Sequence, residues 1–381
     1  MHAFTYNTSD PWETTKGLKK TIVADPVLDE KNRPDEKDWV IVKLKTAGVC
    51  GSDRGIWFRT AFRDNIFESL KREQKSQRIV GHEFFGEIVE IGSAVEKNFS
   101  YKKGDLVSAE SHITCGKCYQ CVRGEKHVCT DEIILGIGID GVFAEYIKVP
   151  AKILWKTDVN KIRPEIACMQ EPFGNAVHAT TRVDVRDKTL TVMGCGPIGL
   201  MSMLIAKALG VKKLIAVDPN DSKLEIARSF GADHTFKTRR DPADGYDAEL
   251  VKKIREVTDG VGTDIVMEMA GFHASVNSAL QIVRRGGDVI LFGIKNGDIV
   301  LRQFDRMIVR GITLHSIIGR QIFQTWETTQ RLLEDQSNGI QTHLWNDLMN
   351  QGKGTLLPFH EATTETFEQH LLAHPKIVLT Y

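Results

Sequence analysis

The chain has 381 residues, 41% hydrophobic and 26% charged, proportions that exclude a disordered or fibrous protein. Lys plus Arg and Asp plus Glu number 50 each, so there is no global basic field for nucleic acid. The length exceeds what one hydrophobic core usually fills, and two domains are expected.

No window approaches about 18 consecutive apolar residues, and the start, Met1-His2-Ala3-Phe4, has neither a basic nor an apolar leader region. A cytoplasmic chain is the expectation. Strands are predicted at Thr21–Val23, Trp39–Lys45, Phe85–Val89, Leu106–Ser108 and Phe143–Ile147, so residues 1–160 read as mostly β. Between them, Ile66, Phe67 and Leu70 have the spacing of an amphipathic helix. After Pro164 the texture becomes strand and helix in alternation. Strands are predicted at Thr189–Met193, Lys213–Val217, Ile265–Met269 and Asp288–Phe292, with helices at Gly199–Gly210, Ser222–Phe230 and Ala274–Val283. That order predicts an α/β, doubly wound parallel sheet. The alternation loosens after Arg310, leaving a helix near Thr325–Asp335 and a last strand at Lys376–Tyr381.

Cys50, in Gly48-Val49-Cys50-Gly51-Ser52-Asp53, and Gly81-His82-Glu83 read together as half of a metal site. A thiolate and an imidazole suit zinc, and a carboxylate beside the imidazole can bind the metal or orient the ring. Alone, the same residues read more readily as a buried thiol and a surface histidine. Cys115, Cys118, Cys121 and Cys129 lie within fifteen residues, a spacing that closes a tetrahedral shell on one loop, as in structural zinc sites. An iron–sulfur cluster is the competing reading, but it needs apolar shielding, and Lys117, Arg123, Glu125, Lys126 and His127 make the lobe polar. Of the remaining cysteines, Cys168 and Cys195 read as packing residues. Glu171, in Gln170-Glu171-Pro172-Phe173-Gly174-Asn175, offers another carboxylate.

Gly194-Cys195-Gly196-Pro197-Ile198-Gly199 follows a predicted strand and opens a predicted helix. In that setting Gly194, Gly196 and Gly199 allow a tight turn, close approach of a pyrophosphate, and close helix–strand packing, with Pro197 and Ile198 in the loop. Asp218, ending the next strand, stands where a carboxylate binds an adenosine ribose and favours NAD over NADP. Lys223 could compensate a 2′-phosphate, so NADP stays open.

Taken together these segments resemble the zinc-dependent medium-chain dehydrogenases over essentially the whole chain. Ser111-His112-Ile113-Thr114-Cys115-Gly116 and Gly319-Arg320-Gln321-Ile322-Phe323-Gln324-Thr325-Trp326 resemble the L-threonine 3-dehydrogenase and polyol dehydrogenase branch. The resemblance implies a GroES-like catalytic domain, residues 1–160 with the lobe at 112–130 and a return at 310–381, and an inserted Rossmann domain at 161–309. It implies a catalytic zinc at Cys50 and His82, with Glu83 and Glu171 completing or exchanging in the shell, and a structural zinc in the lobe. It further implies oxidation of a secondary alcohol to a ketone with NAD, Ser52 passing the proton outward, His112 in the substrate pocket, and a homo-tetramer. Threonine is the expected substrate and a polyol or phosphorylated alcohol the alternative. Ser52 could instead cap the next turn, and His112 could pack on the lobe. A catalytically silent nucleotide-binding relative and a zinc-free quinone-reductase-like enzyme are disfavoured by the metal-type residues.

The sequence departs from that branch at Gly55, where a relay histidine is usual, and in a longer, basic interval between Cys50 and His82. The interval suggests that Arg54, Arg59 or Arg63 meets an anionic substrate. A solvated helix is the alternative.

Overall fold

In the computed structural model, which describes residues 1–294 and 297–381, the chain forms two compact units. One comprises Met1–Pro172 with Met349–Tyr381, the other Phe173–Leu348. The divisions expected at 160/161 and 309/310 are therefore displaced. Residues 161–172 stay with the first unit because side chains of its sheet bind their backbone. Thr46 Oγ1 donates to Pro164 O, and Ser108 Oγ donates to Ala167 O. Residues 310–348 stay with the second because Thr313–Ser316 adds a parallel strand to Val283–Leu291.

The first unit is built on the ten-residue strand Trp39–Gly48. Val40, Val42 and Leu44 are buried while Lys43 and Lys45 are exposed, the alternation of a half-covered strand. It pairs with Glu83–Ile91, Tyr146–Pro150 and Val378–Thr380 within a seven-stranded sheet that also holds Leu106–Ala109, Leu154–Lys156 and Leu356–Pro358. The chain's last residues thus return to lie beside Gly48, opposite Val378. Below the sheet, Trp57 stacks on Phe367 at 4.8 Å with Phe4 and Phe143 against the same ring. Such a ring pair contributes about 0.5–1.5 kcal/mol beyond its buried area.

The strand expected at Phe143–Ile147 runs instead over Tyr146–Pro150. Phe143 donates its N–H to Val80 O and accepts from Phe4 N, which ties it to neighbours outside that ladder. The amphipathic helix around Ile66 is present as Arg63–Glu73.

The second unit is a six-stranded parallel sheet in the order His234–Lys237, Lys213–Asp218, Thr189–Met193, Thr263–Glu268, Val283–Leu291, Thr313–Ser316. This is the doubly wound order, with its switch point between the two halves at Thr189–Met193. Leu190, Val192, Ile215, Ala216 and Val266 are fully buried, as strands covered on both faces require. No helix among the described residues is long and apolar enough to cross a membrane.

Candidate active site

Antiparallel pairing of Trp39–Gly48 with Glu83–Ile91 sets Gly48 opposite Glu83. Each strand leaves the sheet there, Cys50 two residues after Gly48 and His82 one before Glu83, so register alone makes them neighbours. The ligand atoms of Cys50, His82 and Glu83 all lie within 4.8 Å of one another. One thiol, one imidazole and one carboxylate, converging and mostly buried, are a donor set that could hold a metal ion, and their types suit zinc with a position left open.

Cys50 precedes the helix Gly51–Trp57. Asp53, three residues on, accepts the Cys50 N–H at 2.8 Å through Oδ2, while its Oδ1 lies 3.4 Å from His82 Nδ1. One carboxylate thus fixes the thiol's backbone and sets a negative charge beside the imidazole. Burial disfavours a charged His82, but Asp53 and Cys50 outweigh it and hold its pKa well above the ordinary value. Asp53 had no role assigned from sequence, although a carboxylate three residues after a helix start is a capping signal.

Glu83 is fully buried and bonded through Oε2 to Lys376 Nζ, which also donates to Val49 O at 3.2 Å. Gly48 makes this possible, since a Cβ there would lie 2.1 Å from Glu83 Oε2. Burial opposes the charge on Lys376, and Glu83 with Cys50 outweighs it, raising its pKa. Lys376 carries no sequence motif; only the return of the chain end to the central strand reveals it. Glu171, near the start of the helix Gln170–Thr180, accepts from Ser111 Oγ at 2.6 Å; burial first, and then the nearby charge of Glu171, raise the pKa of Glu83 against the opposing pull of Lys376. Glu171 is not within the convergent Cys50, His82 and Glu83 group.

Ser52 Oγ is buried and has no hydrogen-bond partner among the described residues. A buried hydroxyl in that state wants a polar ligand. At Gly55, a Cβ would lie 2.9 Å from Ala61 Cβ. Gly55 O accepts from Thr60 N and Ala61 N, so the turn after the helix folds over the place a relay histidine would need.

The basic interval is spent on structure. Arg54 donates to Leu371 O and His374 O, near the end of the helix Thr364–Ala373. Arg59 donates to Ile56 O and Gly17 O and covers the rings of Tyr6 and Trp12. Arg63 pairs at the surface with Glu13 and Asp64. These contacts correct the expectation that Arg54, Arg59 or Arg63 awaits an anionic substrate. His112, in the two-residue strand His112–Ile113, holds Glu132 at 2.8 Å through Nδ1.

In the lobe, Cys115, Cys118, Cys121 and Cys129 also bring their sulfurs within 4.8 Å of one another. Backbone amides point at the sulfurs, Cys118 N to Cys115 Sγ and Cys115 N to Cys129 Sγ, each at 3.3 Å. Such donors stabilise thiolates.

In the second unit the glycine loop leaves Thr189–Met193 and Pro197 opens the helix Pro197–Ala208, with Ile198 in its first turn. Gly194 has a φ of +104°, a Cβ on Gly199 would lie 2.0 Å from Gly194 O, and the face of Gly196 is open. Asp218 accepts Cys195 N through Oδ2 and Asn220 N through Oδ1, both at 2.9 Å, with Lys223 Nζ 3.9 Å away. Gly194, Gly196, Asp218, Asn220 and Lys223 border a cavity of about 380 Å³ that Thr238, Arg239 and Arg240 also line. No motif pointed to the last three. Cys168 and Cys195 are buried, and burial pushes both thiols up to about 12.

Residues 36–159 match the family described as alcohol dehydrogenase GroES-like domain, and residues 197–335 the one described as zinc-binding dehydrogenase. The chain is 38% identical to an L-threonine 3-dehydrogenase of Caldanaerobacter subterraneus subsp. tengcongensis, over 82% of this chain and 84% of that protein. It is 37% identical to the L-threonine 3-dehydrogenase of Pyrococcus horikoshii, over 77% and 80%. The crystal structure of galactitol-1-phosphate dehydrogenase from Escherichia coli superposes with a TM-score of 0.80 at 24% identity, covering 100% of both chains, a likeness of fold.

Proposed function

The chain belongs to the zinc-dependent medium-chain alcohol dehydrogenases, in the L-threonine 3-dehydrogenase branch, and on that premise we propose that it oxidises the secondary hydroxyl of L-threonine to a ketone. The observation that carries this reading is the convergence of Cys50, His82 and Glu83 beside a buried Ser52 hydroxyl that lacks a protein partner.

Cys50, His82 and Glu83 would hold the catalytic zinc, with Glu171 as the exchanging carboxylate, and Cys115, Cys118, Cys121 and Cys129 the structural one. Bound there, zinc supplies a Lewis acid that lowers an alcohol's pKa, and NAD supplies the hydride acceptor. The chain's own residues do the rest. Asp53 keeps a negative charge beside His82, and Lys376 holds one oxygen of Glu83 so that the other faces the ligand group. Ser52 Oγ relays the proton that leaves the substrate hydroxyl, taking it up as it releases its own outward to solvent water. Asp218, its oxygens already oriented by two backbone amides, receives the ribose of NAD. We take the working form to be a cytoplasmic homo-tetramer, as the family resemblance implies.

A panel of L-threonine, other amino alcohols, polyols and phosphorylated alcohols, followed by NADH absorbance, tests the assignment. Turnover of threonine above the others is expected. Activity with polyols and none with threonine would overturn it.

A further inference from the structure

The parallel sheet of the second unit has two ends. The dinucleotide cavity lies at the carboxyl ends, around Gly194, Asp218 and Met269. At the opposite edge, where Thr263–Glu268, Val283–Leu291 and Thr313–Ser316 begin, lies another cavity of about 1230 Å³. Lys252 and Arg255, Arg284 and Arg285, and Arg306 and Arg310 line it, with Glu256 as the one lining carboxylate.

Part of this charge has a structural purpose. The helices Ala248–Glu256, His273–Ile282 and Phe304–Val309 all end here, and cations suit helix carboxyl ends. Arg255 donates to Gly260 O and Gln281 O, and Arg310 to Leu280 O and Val283 O. Arg284 pairs with Asp264 at 2.7 Å. Lys252, Arg285 and Arg306 are different, since their side chains make no hydrogen bond or ion pair among the described residues.

Magnitudes decide whether the helix ends absorb the excess. Each contributes about half a negative charge, so three of them, with Glu256 and Asp264, leave a surplus of about two to three positive charges. In a chain of zero formal net charge this surplus is local. It also crowds Arg310, which is partly buried. Burial, then the like charges of Arg255, Arg285 and Arg306, depress its pKa. Cations gathered around a partly desolvated guanidinium cost free energy unless an anion sits among them.

We propose that this cavity binds a small, multiply charged phosphate compound of the di- or triphosphate class. A charge of minus two to minus three matches the surplus, and guanidinium groups take phosphate oxygens in pairs. The site is separate from the pyrophosphate position at the glycine loop, because it lies at the other end of the same strands. Tyr246 and Val261 add an apolar wall that a nucleoside could use.

Calorimetric titration of the full-length, zinc-loaded protein, saturated with NADH to fill the dinucleotide cavity, tests this with inorganic tripolyphosphate and with ADP. One site per chain is expected for each, weakening as KCl is raised. Replacing Lys252, Arg285 and Arg306 together by Gln should weaken binding by at least about tenfold. The melting temperature without phosphate should not fall, since like charges are removed from around Arg310, and the KM for NAD should not change. Arg306→Gln alone, on an exposed helix, should weaken it in the same direction. Equal affinity for the two ligands would mean that the phosphate chain alone is read, and tighter ADP that the nucleoside is read as well. No binding of either at millimolar concentration, or binding unchanged in the triple variant, would overturn the proposal.

Discussion

The two cysteine-bearing clusters of the first unit are assembled in opposite ways. The lobe collects four sulfurs from one stretch of fifteen residues, and its backbone amides point at its own sulfurs. The other cluster takes Cys50 from one strand end and His82 and Glu83 from another, and Asp53 and Lys376 support it from two further places. A local cluster needs only a loop, whereas the dispersed one needs the whole sheet in register. That difference suits a closed structural site on one hand and an open, positioned reaction site on the other.

The sharpest way to break the comparison is Cys50→Ser. Loss of the dispersed site should lower kcat/KM by about a thousandfold or more, since the Lewis-acid contribution is several kcal/mol, with the melting temperature little changed. Steady-state kinetics beside thermal unfolding checks this. Cys121→Ala should show the converse. The lobe would lose its metal and stability would fall by several kcal/mol, on the order expected when a structural site is lost, while the folded fraction keeps its turnover. Calorimetry and activity per folded molecule separate the two effects.

Within the dispersed site, Ser52→Ala should reduce kcat by about a hundredfold and alter its pH profile, with KM for NAD unchanged. A flat response would make Ser52 a helix-start residue only. The smallest effect is expected of Gly55→His. Restoring the usual relay histidine should destabilise the protein by about 1–3 kcal/mol through overpacking against Ala61 and should not raise kcat. A faster variant would show that the turn at Thr60 and Ala61 does not occupy that place.

The same contrast governs how much could be read from sequence. The lobe was legible because its ligands are contiguous, and the glycine loop because each glycine has a local task. Cys50, Ser52, His82 and Glu83 could be singled out, but their convergence depends on strand register. Asp53 carried a local capping signal that went unused, and Lys376 carried none. Arg54 and Arg59 misled because composition gives charge without direction, and both turn to backbone carbonyls. The boundary at 348/349 was hidden because the edge strand at Thr313–Ser316 carries a weak pattern; the helix Gln324–Glu334 was legible, but nothing local assigns it to the second unit. The basic cavity gathers residues from 252 to 310, and only the sheet's parallel order brings them to one edge.

The central claim is that Cys50, His82 and Glu83 form a metal site independent of the lobe. Zinc content per chain, measured on the parent protein and on His82→Ala after brief dialysis, tests it most directly. Two zinc ions in the parent and one in the variant, with the variant folded and inactive, is the predicted result. Two zinc ions retained in an active His82→Ala protein would contradict the account.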